Sequence, residues 1–312
     1  MKLRAIWKEN SPTSKLLLTV GSVLVLMVFT TVLASLFASI YYGIPYDEIK
    51  YKMGDADTPL GLAIMKIIQT ASSFGIFILP SIFLAFTFSD SWSGFLRLNR
   101  SGRIGPCLLV VVMMLAALPF INLLADWNSR MNLPDLFSGL ENMMRQLEDK
   151  AAKITEKFLE MDTTGDLMVN LFIIAVLPAV GEELFFRGLL QRIFSDWSRN
   201  KHVGIWVTAV VFSALHGQFY GFVPRMILGG MFGYLLVWSG SLWIPILAHL
   251  VNNGVAVIAS YYYQKGMLGF NPDKIGTGPA ELVFGLLSII LCAGILYLLK
   301  KEFSKQENTI ES

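Results

Sequence analysis

Residues 171–194 read LFIIAVLPAVGEELFFRGLLQRIF, an apolar run long enough to cross a bilayer that nevertheless carries Glu182, Glu183 and Arg187 in its second half. A helix needs about 20 predominantly apolar residues to span the hydrocarbon. Ionisable side chains at membrane depth are costly, so where they occur they are candidates for function. This stretch therefore predicts a transmembrane helix that brings polar chemistry into the membrane.

The composition of the whole chain agrees with a membrane protein. Of its 312 residues, 54% are hydrophobic and 15% are charged, whereas a soluble domain has roughly 45–50% apolar and about 25% charged residues. The net charge of +2 gives no reason to expect nucleic acid as a partner. Cys107 and Cys292 both lie in apolar blocks, and we expect them to be small core residues rather than a disulfide.

Eight segments qualify as membrane helices, so the predicted fold is an all-α, polytopic transmembrane bundle. The first apolar run is far longer than the roughly 7–15 residues of a signal-peptide core, and we expect it to be a retained helix. The fifth and sixth segments are short and separated by a tight turn. The eight segments are at about 16–42, 60–88, 104–125, 167–190, 203–217, 222–239, 242–262 and 281–299.

Lys and Arg are concentrated in alternate loops, which predicts the orientation of the chain. With eight helices, all of the basic clusters fall on one side, and we expect both termini to be cytoplasmic and the membrane to be a bacterial inner membrane. The clusters comprise Lys2, Arg4, Lys8, Lys15, Arg97, Arg100, Arg103, Arg192, Arg199, Lys201, Lys300 and Lys301, while the opposite side carries the acidic residues Asp47, Glu48, Asp55 and Asp57.

Residues 129–165 differ from the other segments because apolar and charged residues alternate there at helical spacing. The pattern predicts an amphipathic helix outside the membrane core, on the non-cytoplasmic side. It could be a connector at the membrane surface or an element that gates or recognises substrate, and the sequence does not separate the two. Its apolar residues are Leu136, Leu140, Met143, Met144, Leu147, Ala151, Ile154 and Phe158. The predicted organisation is helices 1–3 at 1–128, this helix at 129–165, a core at 166–300 and a cytoplasmic tail at 301–312.

The polar residues of the fourth segment divide into two groups on a helix. Glu183 and Arg187 are four residues apart and can form an ion pair, which reduces the cost of burying both. Glu182 points about 100° away and has no such partner. A carboxylate of this kind suits a general base that accepts a proton from water. The alternative is a purely structural ion-pair cluster.

Two further polar positions lie in later segments. His216 ends the fifth segment, and His249 and Asn253 share one face of the seventh, with Asn252 turned by about 100°. These residues could hydrogen-bond between helices, with Asn253 bonding to His249, or could donate to a developing oxyanion. His202 lies in a basic loop and is expected at the surface.

Proline and glycine placement supports a distorted polar site. Pro178 and Pro245 each precede a polar residue by four positions, and each is expected to kink its helix and free backbone groups beside the cavity. Gly229 and Gly233 form a small-xxx-small pair, which predicts close helix packing.

The three motifs GEELFFR, FSALH and HLVNN, in this order, resemble those of the CPBP (CAAX-processing and bacteriocin-immunity, or Abi) family of intramembrane proteases. The family pattern is Glu-Glu-xxx-Arg, Phe-xxx-His and His-xxx-Asn. It is matched by Glu182, Glu183, Arg187, Phe212, His216, His249 and Asn253. The resemblance covers residues 167–262, while the first three helices match only in being hydrophobic.

The resemblance implies a peptidase with its active site inside the membrane and a peptide or membrane protein as substrate. In this family's scheme, Glu182 and His216 would activate a water, and His249 and Asn253 would stabilise the oxyanion. Glu183 and Arg187 would brace the site. No cofactor is expected to be required; the alternative is a zinc ion held by Glu182, His216 and His249.

Two functions of other classes compete with the peptidase. One is a non-catalytic immunity or scaffold protein of the same fold. The other is a transporter that uses the glutamates and histidines as a proton relay. A transporter of this kind should show two related halves, but the polar residues lie only in the second half of the chain.

Overall fold

The computed structural model describes residues 5–279 and 281–311, with side chains through residue 305. In the part that it describes, the chain is helical and has no strand, and seven helices are long and apolar enough to cross a membrane. The predicted fold class, a polytopic helical bundle, is confirmed. Lys2, Arg4 and Ser312, which belong to the predicted cytoplasmic ends, lie outside the described residues.

The helices are labelled here in chain order. All except α4 and α6 are candidate membrane spans. They are α1 (Pro12–Tyr42), α2 (Pro59–Phe88), α3 (Ile104–Ser129), α4 (Ser138–Leu159), α5 (Thr164–Ser198), α6 (Lys201–Ala214), α7 (Phe219–Ser239), α8 (Trp243–Gln264) and α9 (Leu282–Lys305). The helix of α9 continues to Glu311, and Tyr46–Met53 and Trp92–Phe95 are short helices in loops.

Helix α1 shows how local sequence sets a helix boundary. The Ser11 hydroxyl accepts a hydrogen bond from the Ser14 backbone N–H, and Pro12 occupies the first helical position, where its missing N–H has no cost. Gly43, at a φ of 65°, ends the helix in the left-handed conformation. Leu24, Val25 and other apolar side chains of α1 are exposed, as expected for a helix that faces lipid.

One face of the bundle is defined by the basic loops, and we call it the basic face. There the Leu242 N–H donates to the Arg97 carbonyl at 3.1 Å, which joins the start of α8 to the loop between α2 and α3. The Ala5 N–H donates to the Phe86 carbonyl at 3.1 Å, near the end of α2. The segment before α1 therefore lies on the basic face.

The opposite face, which we call the α4 face, joins the other ends of the helices. Asn128 Nδ2 donates to the Phe219 carbonyl at 3.1 Å, so that the end of α3 meets the start of α7. Lys265 Nζ donates to the Asp162 carbonyl at 2.7 Å, so that the end of α8 meets the start of α5. The chain therefore passes from one face to the other between the end of α5 and the start of α7.

Helix α6 makes that passage although it has only 14 residues. At a rise of about 1.5 Å per residue it is about 21 Å long, against a hydrocarbon thickness of about 30 Å. The predicted segment at 203–217 is thus a shorter helix that ends at Ala214, followed by a turn in which Gly217 has a φ of 65°. A turn at membrane depth is tolerated where it borders a cavity rather than lipid.

The predicted amphipathic helix is α4, and it packs across the α4 face. Lys153 Nζ lies 3.1 Å from Asp57 Oδ2, which ties α4 to the segment before α2. Glu141 accepts hydrogen bonds from Arg145 and from the Leu133 N–H, and these bonds lower the pKa of its carboxyl group. Several of its apolar side chains remain exposed, as expected for a helix at a membrane surface. They are Leu140, Met143 and Leu147.

The interior contains two main apolar clusters. One joins α2, α5 and α6 through buried residues such as Leu84, Phe186 and Phe212. The other joins α3, α7, α8 and α9, and it includes Phe232 and Ala248. Cys107 and Cys292 are free thiols that pack with this second cluster. The polar motifs lie where α5, α6, α7 and α8 meet, between the two clusters.

Eight crossings predict that both ends of the chain lie on the basic face, in the cytoplasm. Alkaline phosphatase fused after Gly266, on the α4 face, should be active in cells, and the same enzyme fused after Arg199 or Glu302 should be inactive. Green fluorescent protein fused at the same positions should give the reverse pattern. An active phosphatase at Glu302 would show that α6 does not complete a crossing.

Candidate active site

The helix that carries the first motif is not a regular α-helix. Within α5, Leu171–Val176 and Glu183–Leu190 are π-helical, on either side of the α-helical turn Leu177–Glu182. Segments of π-helix are often found at functional sites because they redirect side chains and backbone groups. Both Glu182 and Glu183 lie at the boundary where the second segment begins.

Pro178 frees a backbone acceptor in the first distorted segment. Having no N–H, it cannot donate to the Ile174 carbonyl four residues earlier. That oxygen instead accepts a hydrogen bond from Asn253 Nδ2 at 3.0 Å. The carbonyl that Pro178 was expected to free therefore fixes a polar side chain of α8.

The expectation that Pro245 kinks its helix is wrong. Helix α8 begins at Trp243, so Pro245 lies in its first turn. The first N–H groups of a helix have no intrahelical acceptor in any case, so a proline there removes no bond and causes no kink. His249 therefore sits on regular helix.

Glu183 and Arg187 form the predicted ion pair, with 2.9 Å between Oε1 and Nη1, and both side chains are fully buried. The same Oε1 lies 2.9 Å from His249 Nδ1. Because a carboxylate accepts, Nδ1 is the protonated nitrogen. Glu183 thus joins α5 to α8 and holds the His249 ring in one orientation.

The guanidinium of Arg187 has further partners on α7 and α6. Its Nη2 donates to the Gly229 carbonyl at 3.1 Å, and its Cζ lies 4.6 Å from the centroid of the Phe212 ring and 5.4 Å from that of Phe232. A Cβ on Gly229 would approach Nη2 to 3.2 Å, so the glycine permits this close packing. Three helices therefore meet at one cation, and Glu183 links that cation to a fourth, α8.

Gly233, one turn after Gly229, also permits close packing between helices. Gln191 Nε2 donates to the Gly233 carbonyl at 3.2 Å, and a Cβ on Gly233 would lie 2.8 Å from Ile205 Cγ2. The prediction that Gly229 and Gly233 are packing residues is confirmed.

Glu182 lies at the wall of a cavity rather than in the buried pair. Its Oε2 is 3.9 Å from His249 Nε2, too far for a direct hydrogen bond. Its side chain keeps 14% of its surface accessible, and no described residue donates a hydrogen bond to its carboxylate. It is thus the member of the Glu-Glu pair whose oxygens are free to act on another molecule.

His216 comes after the last residue of α6, in the turn that faces the cavity. Its Nδ1 lies 2.8 Å from the Phe212 carbonyl. A carbonyl can only accept, so Nδ1 carries the proton and the neutral ring has its lone pair on Nε2. Phe212 therefore positions His216 through its backbone, and its ring contacts the His216 ring at a centroid distance of 5.0 Å.

Asn253 and Asn252 are coupled to each other. Asn252 Nδ2 donates to Asn253 Oδ1 at 3.0 Å, and Asn253 uses one of its two amide N–H groups on Ile174. Asn253 bonds to Ile174 and Asn252 and not to His249, because His249 bonds to Glu183. Asn252 therefore belongs to the site, although the 100° turn per helical residue had predicted that it points away from Asn253.

The polar residues line one cavity of about 760 Å³. Glu182, His216 and His249 border it, together with Asn252 and Asn253. Glu183 and Arg187 lie behind the wall and not in it. Helix α4 also borders the cavity, through Ala151, Ile154, Thr155 and Phe158.

Arg225 also lines this cavity and was missed by the sequence analysis. It is an ionisable residue inside an apolar segment, as Glu182 is, so the rule that singled out Glu182 applies to it as well. Arg225 was not predicted as a site residue because it lies outside the three motifs.

The zinc alternative needs three ligands whose donor atoms converge at about 2.0–2.2 Å from one ion. Among the described residues, no group of three or more His, Cys, Asp or Glu side chains is arranged to hold a metal ion. His249 Nδ1 is directed at Glu183, and His249 Nε2 is 3.9 Å from Glu182 Oε2. Within the described residues, Glu182, His216 and His249 are thus not brought together as a set of three ligands.

Two comparisons with known proteins gave a match to this chain. Residues 164–255 match the family model of the type II CAAX prenyl endopeptidase Rce1-like proteins. An uncharacterized protein of Bacillus subtilis (strain 168), YpbD, is 28% identical over 90 residues, which are 28% of this chain and 43% of that protein. The chain thus spans less than half the length of this curated relative. No solved structure matches. The resemblance predicted from the three motifs is confirmed over the segment that carries them.

The buried ion pair predicts a large asymmetry between single and double substitutions. Arg187→Met alone leaves the Glu183 carboxylate buried without its cation and should destabilise the protein by about 3–5 kcal/mol. Glu183→Gln combined with Arg187→Met removes both charges and should cost less than the sum of the single changes. Thermal unfolding of the purified protein in detergent measures both effects.

Arg130→Met is the matched control because Arg130 pairs with Asp126 at the surface. It should leave the unfolding temperature nearly unchanged. Additive effects of the two substitutions at Glu183 and Arg187 would contradict the coupling.

Proposed function

We propose that this protein is an intramembrane endopeptidase that hydrolyses a peptide bond in the cavity beside Glu182. The family match to the endopeptidases and the membrane bundle support a protease of this type. The observation that carries the proposal is the placement of a carboxylate, two imidazoles and two amides around one cavity inside an apolar bundle.

Glu182 is the general base in the proposed reaction. With no hydrogen bond from a described residue, its carboxylate can accept a proton from a water molecule as the water oxygen attacks the scissile carbonyl carbon. His216 Nε2, which carries a lone pair, accepts the other O–H of that water and orients it. The new C–O bond forms while the carbonyl electron pair moves to oxygen and creates the oxyanion.

The oxyanion requires donors that are already in place. Asn253 retains one amide N–H after bonding to Ile174. His249, held through Nδ1 by Glu183, supplies a second donor from Nε2 in its imidazolium form. Asn252 holds the Asn253 oxygen and so fixes which way the Asn253 amide points.

Collapse of the tetrahedral intermediate completes the proposed reaction. Glu182, protonated in the first step, returns the proton to the leaving nitrogen as the C–N bond breaks. The carboxylic acid that forms passes its proton to the released amine, so the products are a carboxylate and an ammonium group, and Glu182 is again ionised. Glu183 and Arg187 do not touch the reacting atoms in this scheme. They position His249 and keep α5, α6, α7 and α8 together.

The substrate is proposed to be a peptide or a segment of a membrane protein, presented at the lipid bilayer. The wall formed by α4 contributes apolar contacts through Ile154 and Phe158. We therefore propose that α4 contributes to substrate recognition as well as to packing. We place the protein in a bacterial inner membrane with the basic face in the cytoplasm.

Substitution of the base and of the water-orienting residue tests the mechanism. Comparison of membrane proteomes from cells with wild-type protein and with Glu182→Gln identifies a substrate, and a peptide that spans its cleavage site serves as the probe in liposomes. Glu182→Gln and His216→Ala should each lower kcat/KM by about 100-fold or more, since each removes a proton-transfer or positioning role. Thermal unfolding checks that both variants are folded.

His202→Ala is the matched control, because His202 is an exposed histidine that contacts Tyr234 Oη at 2.8 Å and lies away from the cavity. It should cleave at the wild-type rate. Full activity of Glu182→Gln would rule out the proposed base. A wild-type protein that binds the probe without cleaving it would instead favour the scaffold function.

Metal removal separates the glutamate mechanism from the zinc alternative. Protein dialysed against a chelator and shown by mass spectrometry to be free of zinc should keep its full cleavage rate, because no step uses a metal. Loss of activity that added zinc restores would overturn this expectation and return Glu182, His216 and His249 to the role of ligands.

A further inference from the structure

Arg225 lies one turn inside α7 and lines the same cavity as Glu182 and His216. A guanidinium is charged at any pH at which proteins fold, so its charge cannot be removed by losing a proton. A cation in a membrane-spanning segment is costly unless a counter-charge or water is close to it. The contacts of Arg225 therefore indicate which kind of ligand the cavity can bind.

The hydrogen-bond acceptors of Arg225 are neutral. Nη2 donates to Gln218 Oε1 at 2.9 Å, and Nη1 lies 3.4 Å from the Gln218 carbonyl. None of the ion pairs within 4.0 Å among the described residues includes Arg225. Glu148 and Glu182 act on it only through longer-range electrostatic attraction. By contrast, Arg187, which is buried, has a carboxylate at 2.9 Å.

The position of the guanidinium is fixed by its surroundings. Gln218 is itself held by Glu148 of α4, whose Oε1 accepts from Gln218 Nε2 at 3.3 Å and whose Oε2 accepts from the Tyr220 N–H at 3.2 Å. Gly221 provides the space, since a Cβ at that position would overlap the Arg225 guanidinium. Its φ of −113° is one that any residue can adopt. The absence of a side chain at Gly221 is therefore needed for Arg225 and not for the turn.

We infer that Arg225 forms a carboxylate-binding subsite of the cavity and selects peptides that carry a carboxylate near the bond to be cleaved. A guanidinium has five N–H donors in a planar fork, and two contacts to Gln218 leave others free. The fork matches the two oxygens of a carboxylate, and the pair removes the cost of the unmatched cation. The carboxylate is either the C-terminal group of the peptide or an Asp or Glu side chain. This inference rests on the proposed function, because it assumes that a peptide occupies the cavity.

Peptide binding to a non-cleaving variant tests the subsite separately from catalysis. The protein is full-length Glu182→Gln in detergent, and the probes are three fluorescein-labelled apolar hexapeptides. One has a free C-terminal carboxylate, one is its C-terminal amide, and one is an amide with a single internal Glu. At least one of the two charged probes should bind about tenfold or more tightly than the neutral amide, and the probe that does so identifies the source of the carboxylate.

Three substitutions added to this protein should change the preference in graded ways. Arg225→Gln should abolish it, and Arg225→Lys should keep part of it because a charge remains without the fork. Gly221→Ala should reduce it by displacing the guanidinium while the fold is retained. Arg130→Gln, which removes an arginine on the same face outside the cavity, should leave it unchanged.

Equal binding of the three probes, a full preference in Arg225→Gln, or no binding of any probe would each overturn the subsite. The subsite would also be overturned if phosphatidylglycerol vesicles displaced all three peptides equally. That result would identify Arg225 as a lipid contact. A preserved charge preference in a wild-type protein that cleaves nothing would refute the peptidase and leave the subsite standing.

Discussion

The guanidinium of Arg187 is buried where four helices converge, and its hydrogen bonds and ring contacts reach three of them, α5, α6 and α7. The cation is matched by Glu183 on its own helix, capped by the Gly229 carbonyl of α7, and covered by the rings of Phe212 and Phe232. His249 of α8 joins through the other contact of Glu183. A charge at this depth is costly without such partners, and these contacts together reduce that cost. Burial of Arg187 therefore depends on several positions at once. They are Glu183 of α5, Phe212 of α6 and Gly229 of α7.

That interaction gives the two adjacent glutamates different environments. Glu183 and Glu182 are neighbours in the sequence, yet Glu183 is fully buried between Arg187 and His249, while Glu182 faces the cavity. The buried pair behind the wall holds His249 in place, so the orientation of His249 does not depend on a hydrogen bond to Glu182. Enzymes use the same division when residues that never meet the substrate orient the reacting groups.

Much of the architecture could be predicted because apolar length and helical spacing are properties of single segments. The eight segments, the amphipathic helix and the Glu183–Arg187 pair are of this kind. The π-helical turns of α5 could not be predicted, since an apolar helix has nearly the same pattern with or without them. The link between Glu183 and His249 also escaped prediction, because it joins helices far apart in the chain. The effect of Pro245 was misjudged, because a proline in the first turn of a helix removes no hydrogen bond. Arg225 was overlooked because it lies outside the motifs.

The shortness of α6 has a consequence for the surrounding lipid. Its outer surface exposes Val203, Trp206, Val207 and Val210, so this helix borders acyl chains over about 21 Å where its neighbours present a longer apolar surface. A span shorter than the hydrocarbon is accommodated by local thinning of the bilayer or by tilt. The deficit falls at the end of α6 where His216 sits. The hydrophobic thickness of the membrane thereby becomes part of the environment of the site.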